Sequence, residues 1–305
     1  MHNILQAFSL KTKKKKTYMK IEKFTHIGYK EPKKEVLMCE DRILENLDER
    51  IYGVIDGATS STGIQIEGLT DGAYIAEFFK NKVSEGGFNT YTSEAILSEI
   101  NEGFGVHLEE NHPDVHKLGK QGPCASGVLL KTHKNGTFSY AQIGDCMLVE
   151  LTHEGGFIEL TDDTRFEDDH IYLNKAAELS KATGKSILEV RSNPEVISAI
   201  QAHREMSNVS KGVITGEPEM DAFIVSGVRD LDNAKALIMM SDGMAHPEFD
   251  KEQTYIQAAQ YMMEHGIEAY YKKLEEIYNA DTDWHNLKHI RCKHMDDATA
   301  MIIHL

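Results

Sequence analysis

Residues 51–60 read IYGVIDGATS and place a strand, an acid and a glycine in immediate succession. The apolar and β-branched residues of 51–55 predict a buried β-strand. Such a strand holds its end rigidly, and a glycine next to the acid lets the backbone approach a ligand closely. Asp56 and Gly57 therefore combine a fixed carboxylate with an accessible carbonyl oxygen. Oxygen donors are what Mg²⁺ and Mn²⁺ require, so we expect a cation to bind here.

Two further places in the chain repeat this design. An apolar run at 236–240 leads into Asp242 and a glycine, and an apolar run at 299–303 follows Asp296. Each acid taken alone could simply begin a turn, as Asp-Gly pairs commonly do. The recurrence at three remote positions favours a shared carboxylate site, on the condition that the fold brings the three acids together.

Short apolar runs predict a fold with many strands separated by helices. We expect strands at 51–55, 126–131, 137–143, 147–151, 236–240 and 299–303, and helices at 70–83, 93–108, 251–264 and 267–279. Asn135-Gly136 predicts a tight turn, and Gly144-Asp145 predicts a β-hairpin between the strands that flank it. Gly266 is placed to end a helix.

The polar region 162–215 interrupts the strand pattern and contains two helical pieces, 166–182 and Pro194–Arg204. An insertion of this kind usually covers one face of a domain, so we expect a single domain over 21–305 with a flap-like insertion at about 162–215. Residues 1–20 are expected to form a disordered basic leader, because residues 13–16 are all lysine. A start at Met19, contact with an acidic surface and a targeting role are the alternatives.

Composition restricts the class of partner. The 305 residues carry a formal net charge of -16, and so acidic a surface repels the phosphates of nucleic acids. The four cysteines are far apart and form no C-x-x-C pair, which indicates free thiols in a reducing compartment. No apolar run is long enough to cross a bilayer. We therefore expect a cytoplasmic protein that binds neither nucleic acid nor membrane.

Six short motifs follow one another in a recognisable order. They are CED (39–41), VIDGATS (54–60), CASGVLL (124–130), AQIGDCMLV (141–149), IMMSDGM (238–244) and DDATAMII (296–303). Together they resemble the bacterial type of the metal-dependent protein phosphatases, the PPM or protein phosphatase 2C-like family, from about residue 35 to the C-terminus. The resemblance implies an α+β fold, an α-β-β-α sandwich of two antiparallel sheets flanked by helices, with a metal centre at one end.

The resemblance also implies roles for individual residues. Asp56 matches the aspartate that bridges two metals, and Gly57 matches the glycine whose carbonyl oxygen binds metal. Asp242 matches the aspartate of the family's S-D-G motif. In the family's D-N pattern the first acid is the ligand, so Asp296 is the expected ligand and Asp297 takes the place of the asparagine.

The remaining expected ligands bind a second or a third metal. Glu40 and Asp41 match an acidic pair that binds the second metal directly or through water, and Asp145 matches the aspartate of a weaker third site. The implied cofactors are two divalent cations, Mn²⁺ or Mg²⁺. The implied reaction is hydrolysis of phosphoserine or phosphothreonine in a protein or peptide, by attack of hydroxide held between the two metals.

The sequence departs from the family pattern at two functional positions. Ala58 stands where eukaryotic relatives have a histidine that can protonate the leaving group, and Val36 stands where an arginine often grips the phosphate. Lys33, Lys34 and Arg42 are candidates to replace that arginine. Only fifteen residues separate Asp41 from Asp56, which predicts a short first hairpin.

Three other interpretations remain open at this point. A haloacid-dehalogenase-type phosphatase would use a strand-end aspartate as nucleophile, but its D-x-D-x-T motif is incomplete at 56–59. A pseudophosphatase that binds phosphoprotein without turnover is the main alternative, because the arginine and histidine are missing. The run WHNLKHIRCKH at 284–294 could form a zinc cluster, although surface histidines explain it more simply.

Overall fold

A computed structural model of the chain describes residues 19–31, 34–35, 38–58, 62–248, 253–281 and 293–305. Its strands are Lys20–His26 (β1), Tyr29–Glu31 (β2), Lys34–Glu35 (β3), Arg42–Asn46 (β4), Ile51–Ala58 (β5), Gln65–Ile66 (β6), Leu69–Thr70 (β7), Cys124–Thr132 (β8), Thr137–Ile143 (β9), Met147–Thr152 (β10), Phe157–Glu159 (β11), Val225–Asp230 (β12), Ala234–Met240 (β13) and Ala298–His304 (β14). Its α-helices are Asp71–Glu85 (α1), Ser93–Asn111 (α2), Pro113–His116 (α3), Arg165–Thr183 (α4), Ile187–Val190 (α5), Pro194–Arg204 (α6), Thr254–His265 (α7) and Ile267–Ala280 (α8).

Ten of these strands build two antiparallel sheets. One sheet has the order β1-β14-β13-β10-β11, and the other has the order β12-β9-β8-β5-β4. The predicted strands all lie in these two sheets, within a few residues of the expected bounds. The sheet edges β1, β4, β11 and β12 were not predicted, because their alternation of apolar with charged or polar residues is weak.

The two sheets pack face to face through side chains that alternate along their strands. Val54 and Leu130 from one sheet meet Leu148, Met239 and Met301 from the other in one buried cluster. The intervening residues of the same strands point outward, yet they are buried too. Strand β5 is therefore apolar on both faces, which explains its unbroken apolar sequence.

Helices cover the outer face of each sheet. Phe79 of α1 and Phe104 of α2 pack on Ile55 in one buried cluster, and Tyr255 of α7 and Tyr270 of α8 pack on the other sheet in a second cluster. The layers are thus helix, sheet, sheet and helix. The predicted fold class, two antiparallel sheets flanked by helices, is confirmed.

The predicted helices begin and end near the expected signals. Thr70 caps α1 by accepting a hydrogen bond from the backbone N–H of Ala73, and Thr92 caps α2 in the same way through Ala95. Gly266 ends α7 with a positive φ of 91°, as a glycine after a helix can. Helix α7 begins at Thr254, three residues later than predicted.

The predicted Gly144-Asp145 hairpin is wrong. Strands β9 and β10 flank this turn, but β9 belongs to one sheet and β10 to the other. Gly144, with a φ of 75°, lets the chain cross between the sheets. The turn at Asn135-Gly136 does join two paired strands, β8 and β9. Strands β4 and β5 form a short hairpin ahead of Asp56.

Residues 165–204 form three helices, α4, α5 and α6, with a small apolar cluster of their own. Ala176 of α4, Ile187 and Val190 of α5, and Val196 of α6 are buried against one another. The cluster is separate from the three clusters of the sandwich. Within the part of the chain that the structure describes, no helix is long and apolar enough to cross a membrane.

Candidate metal centre

The predicted acids lie at one end of the sandwich. Strand β5 ends beside the start of β4, so Asp41 comes next to the end of β5. In the other sheet, the end of β13 faces both the start of β14 and the start of β10. Asp242, Asp296 and Asp145 adjoin those three strand ends. Strand pairing alone therefore brings acids from remote parts of the chain to a common edge.

Asp56 lies within its strand rather than after it. Strand β5 continues through Ala58, and Asp56 pairs with Ser126 of β8. The extra pairing fixes the backbone on both sides of the carboxylate. Burial raises the pKa of Asp56 well above its ordinary value, and the carboxylates of Asp41, Asp242 and Asp296 raise it further. Asp145 adds to the same effect.

Asp41 is held in place by a hydrogen-bonded serine. The hydroxyl of Ser241 donates to Asp41 Oδ2 at 2.7 Å and accepts from the backbone N–H of Thr299 at 2.9 Å. The other oxygen of Asp41, Oδ1, is buried and has no hydrogen-bond partner among the described residues. Burial, followed by the charge of Asp297, raises the pKa of Asp41 to about 7. A fixed, uncompensated carboxylate oxygen of this kind suits a cation.

Asp297 serves as a backbone acceptor. Its Oδ1 accepts a hydrogen bond from the N–H of Gly28 at 2.6 Å, and its Oδ2 accepts one from the N–H of Glu40 at 2.7 Å. Both oxygens are thus engaged by backbone. Asp297 thereby connects the segment before β14 to two segments near the N-terminus. The neighbouring Asp296 is one of the acids whose charge acts on Asp56.

Two glycines let backbone segments come close together at this end. A Cβ on Gly57 would collide with the carbonyl of Gly72 at the start of α1, and a Cβ on Gly243 would collide with the carbonyl of Asp297. Larger residues at these positions would push the acid-bearing loops apart. Gly57 and Gly243 each follow an expected ligand. Glycine is therefore required after these aspartates for close backbone packing, in addition to its preference for turns.

The structure separates the acidic pair. Asp41 is among the carboxylates that raise the pKa of Asp56, whereas Glu40 accepts a hydrogen bond from the Thr70 hydroxyl at 2.5 Å. Lys293 lies nearby, with its Nζ 2.5 Å from Asp296 Oδ1. Burial lowers the pKa of Lys293, but Asp296 and the neighbouring acids outweigh it and hold that pKa well above its ordinary value.

Several expected residues fall outside this arrangement or outside the described residues. Arg42, a candidate for gripping phosphate, instead pairs with Glu77 at 2.6 Å. Val36, Lys33 and most of the 284–294 run lie outside the described residues, as does the basic leader up to residue 18. Sequence reasoning missed Lys293, which lies three residues before an expected ligand.

The donor set fits hard divalent cations, although the side chains as placed do not enclose one. Asp41, Asp56, Asp145, Asp242 and Asp296 offer only oxygen, which suits Mg²⁺ and Mn²⁺. Across the described ranges, no three His, Cys, Asp or Glu side chains are close enough together to hold an ion. Binding would require these carboxylates to turn inward, and their attraction to a cation would offset the mutual repulsion that opposes this change.

Comparison with known proteins identifies the fold and no more. No protein-family model matches the chain, and no curated protein matches it in sequence. Among solved structures, it is similar to the serine/threonine phosphatase Stp1 from Staphylococcus aureus, with a TM-score of 0.53, 16% identity and coverage of 95% of this chain and 96% of that one.

Two structures of one mycobacterial enzyme are similar as well. The serine/threonine phosphatase PstP/Ppp of Mycobacterium tuberculosis has a TM-score of 0.53 at 15% identity, covering 94% of this chain and 98% of that one. The catalytic domain of PstP in complex with 2 manganese ions has a TM-score of 0.52 at 15% identity, covering 94% and 97%. The chain therefore has the fold of bacterial PPM-type serine/threonine phosphatases, and the resemblance seen in the sequence motifs is confirmed at the level of the fold.

Proposed function

We propose that this protein is a metal-dependent phosphatase that hydrolyses phosphoserine or phosphothreonine in proteins or peptides. The observation that carries the proposal is the group of acids that strand pairing brings to one edge of the sandwich, where the charges of Asp41, Asp242, Asp296 and Asp145 raise the pKa of Asp56. A fold concentrates negative charge in this way at a cost, which a bound cation would remove. The similarity to bacterial serine/threonine phosphatases supports the same assignment.

Mn²⁺ or Mg²⁺ would be held by Asp56, the carbonyl oxygen of Gly57, Asp242 and Asp296, with Asp41 for the second cation and Asp145 for a weaker third. When bound, the cations lower the pKa of a water molecule and neutralise charge on the phosphoryl oxygens. Glu40 has a supporting role in this proposal, because its side chain accepts from Thr70 and its backbone donates to Asp297.

The protein's own side chains would position these ligands. Ser241 fixes the orientation of the Asp41 carboxylate by donating to Oδ2. Strand pairing on both sides of Asp56 holds that carboxylate at the centre of the group. Preorganisation of this kind matters because a phosphomonoester dianion resists attack by neutral water.

The helical segment 165–204 is proposed to act as a flap beside this centre. Arg204 at the end of α6 is buried and donates to the carbonyl of Gly122 at 3.1 Å and to that of Ala58 at 3.4 Å. Ala58 lies two residues after Asp56, so the contact joins the end of the flap to the end of β5. We also propose a cytoplasmic location.

Hydrolysis of an aryl phosphate tests the proposal. We expect turnover with Mn²⁺, loss of turnover with chelator, and loss of turnover in Asp242→Asn at saturating Mn²⁺. The control is Asp232→Asn, which changes an exposed aspartate in the turn before β13 and should behave like the wild type. An unchanged rate in Asp242→Asn would overturn the assignment.

A regulatory module that binds phosphoprotein without turnover is the second candidate. It is favoured by one observation, the ion pair between Lys293 and Asp296, which places an ammonium group on an expected metal ligand. Calorimetry separates the two functions. Mn²⁺ binding without turnover in the same preparation would favour the module.

A further inference from the structure

Phosphate binding needs a cation that is free to meet the substrate, and the position that often supplies an arginine holds Val36. Among the described residues, Arg42, Arg204 and Lys293 are cationic side chains that contact a segment bearing one of the expected ligands. Two of these side chains bind partners that stabilise the fold, whereas the third binds an expected metal ligand. Only a side chain of the latter kind can change partner when a metal is bound.

Arg42 and Arg204 are committed to the fold. Arg42 Nε pairs with Glu77 at 2.6 Å, and its Nη1 donates to the carbonyls of Cys39 and Asp41 at 2.7 and 2.8 Å. Arg204 is buried and donates to two backbone carbonyls. Moving either guanidinium toward a substrate would leave buried or half-buried acceptors without partners, which is unfavourable.

Lys293 is placed differently. Its Nζ lies 2.5 Å from Asp296 Oδ1, and the two side chains are 30% and 39% exposed. The pair is therefore partly exposed, and the ammonium contacts the carboxylate that would bind metal. A divalent cation on Asp296 competes with the ammonium for the same oxygen and repels it.

We propose that Lys293 is a phosphate-positioning residue, which exchanges Asp296 for a phosphoryl oxygen of the substrate when divalent cations are bound. This inference rests on the proposed function. A lysine is suited to such an exchange, because its ammonium is a point charge on a flexible stem and can meet an oxygen from several directions. The cation and the ammonium would then bind different oxygens of one phosphoryl group.

The exchange predicts two effects of opposite sign from a single substitution. Removing the ammonium in Lys293→Met frees Asp296, so Mn²⁺ should bind up to about fivefold more tightly, the usual limit for a partly exposed ion pair. The same change removes a charged contact to phosphate, so orthophosphate should bind roughly tenfold more weakly. A residue that only supports the loop would shift both affinities in one direction.

The experiment uses the full chain. Mn²⁺ affinity is measured by calorimetry without substrate, and orthophosphate affinity is measured by calorimetry on the Mn²⁺-loaded protein and as competitive inhibition of aryl phosphate hydrolysis. Lys293→Arg should recover most of the orthophosphate affinity. Lys117→Met is the matched control, since Lys117 also pairs with an aspartate three residues away, Asp114, but at the exposed end of helix α3. In Lys293→Met we expect KM to rise more than kcat falls.

Unchanged orthophosphate affinity in Lys293→Met, or a parallel loss of Mn²⁺ and orthophosphate affinity, would overturn the inference. The failure of the proposed function is a different result. A wild-type protein that binds Mn²⁺ but hydrolyses no aryl phosphate refutes the phosphatase, while calorimetry with orthophosphate still decides the role of Lys293. A wild-type protein that binds no Mn²⁺ overturns both.

Discussion

Asp297 Oδ2 accepts a hydrogen bond from the backbone N–H of Glu40 at 2.7 Å, although 257 residues separate the two along the chain. The contact fixes the acidic pair of the N-terminal part relative to the acids of the C-terminal part. Asp297 is itself buried, with 3% of its surface exposed. The arrangement of acids at the metal centre therefore depends on Asp297, a neighbouring acid whose carboxylate accepts hydrogen bonds from two backbone N–H groups.

Asp297→Ala should destabilise the protein by about 2–3 kcal/mol, because it leaves the N–H groups of Gly28 and Glu40 buried without an acceptor. Asp297→Asn keeps one acceptor oxygen and should lose less. Urea unfolding monitored by circular dichroism measures the difference. Asp114→Ala, which removes an exposed carboxylate, is the control and should unfold like the wild type. Equal midpoints for Asp297→Ala and wild type would mean that this carboxylate does not hold the two segments.

Gly57→Ala should lower stability by about 1–3 kcal/mol or more and weaken Mn²⁺ binding, because the added methyl group collides with backbone at Gly72. Gly103→Ala is the matched control. Gly103 is exposed within α2 and its Cβ would meet nothing within 4 Å, so alanine there should raise stability by roughly 0.5–1 kcal/mol. Thermal unfolding measures the change in stability, and calorimetry measures the change in Mn²⁺ affinity. If Gly57→Ala binds Mn²⁺ as the wild type does, the close approach at Gly72 is not required.

Arg229→Met should destabilise the protein by roughly 2–4 kcal/mol, near the lower range for breaking a buried ion pair. Glu150 of β10 is fully buried, and its ion pair with Arg229 of β12 at 2.7 Å links the two sheets. The Arg229 side chain is 38% exposed, which limits the loss. The double variant Glu150→Met with Arg229→Met should recover part of the stability, since it removes the buried charge. A double variant less stable than Arg229→Met in urea would contradict this account.

The metal-free protein should become less stable as pH rises from about 4 to about 7. The pKa of Asp41 is raised from an ordinary value of 3.8 to about 7, so in this window the folded state holds a proton that the unfolded state has lost. The stabilisation is therefore complete at low pH and is lost as pH approaches the folded pKa. The measurement is the unfolding temperature in chelator across this range.

Asp41→Asn is the control for this pH dependence. The amide removes the titration, so the variant should be more stable than the wild type near pH 7.5 in chelator and should bind Mn²⁺ more weakly. Other acids of the group, including Asp56, are expected to leave some pH dependence in the variant. A wild-type unfolding temperature that rises between pH 4 and pH 7 in chelator would show that the acids do not repel one another as described.

The sequence alone located the strands that carry the site, because burial imposes a pattern that is local. Strand β5, apolar on both faces, and the apolar run of β13 could be assigned from their own residues, as could the Asp-Gly pairs beside them. The order of the six motifs then indicated the fold. Edge strands such as β12 were not assigned, since their apolar and polar residues do not alternate regularly, and Val228 of β12 is an apolar residue at an exposed position.

Only the tertiary structure decided which groups face one another. Gly144-Asp145 reads locally as a hairpin, yet strand pairing places its two flanking strands in different sheets. Glu40 and Asp41 are neighbours in sequence, but their side chains meet different partners, Thr70 and Ser241. The contact of Lys293 with Asp296, an expected metal ligand, could not be predicted from the sequence either. The physical reason is that periodicity and turn chemistry depend on adjacent residues, whereas electrostatic and hydrogen-bonding partners depend on how distant strands register against one another.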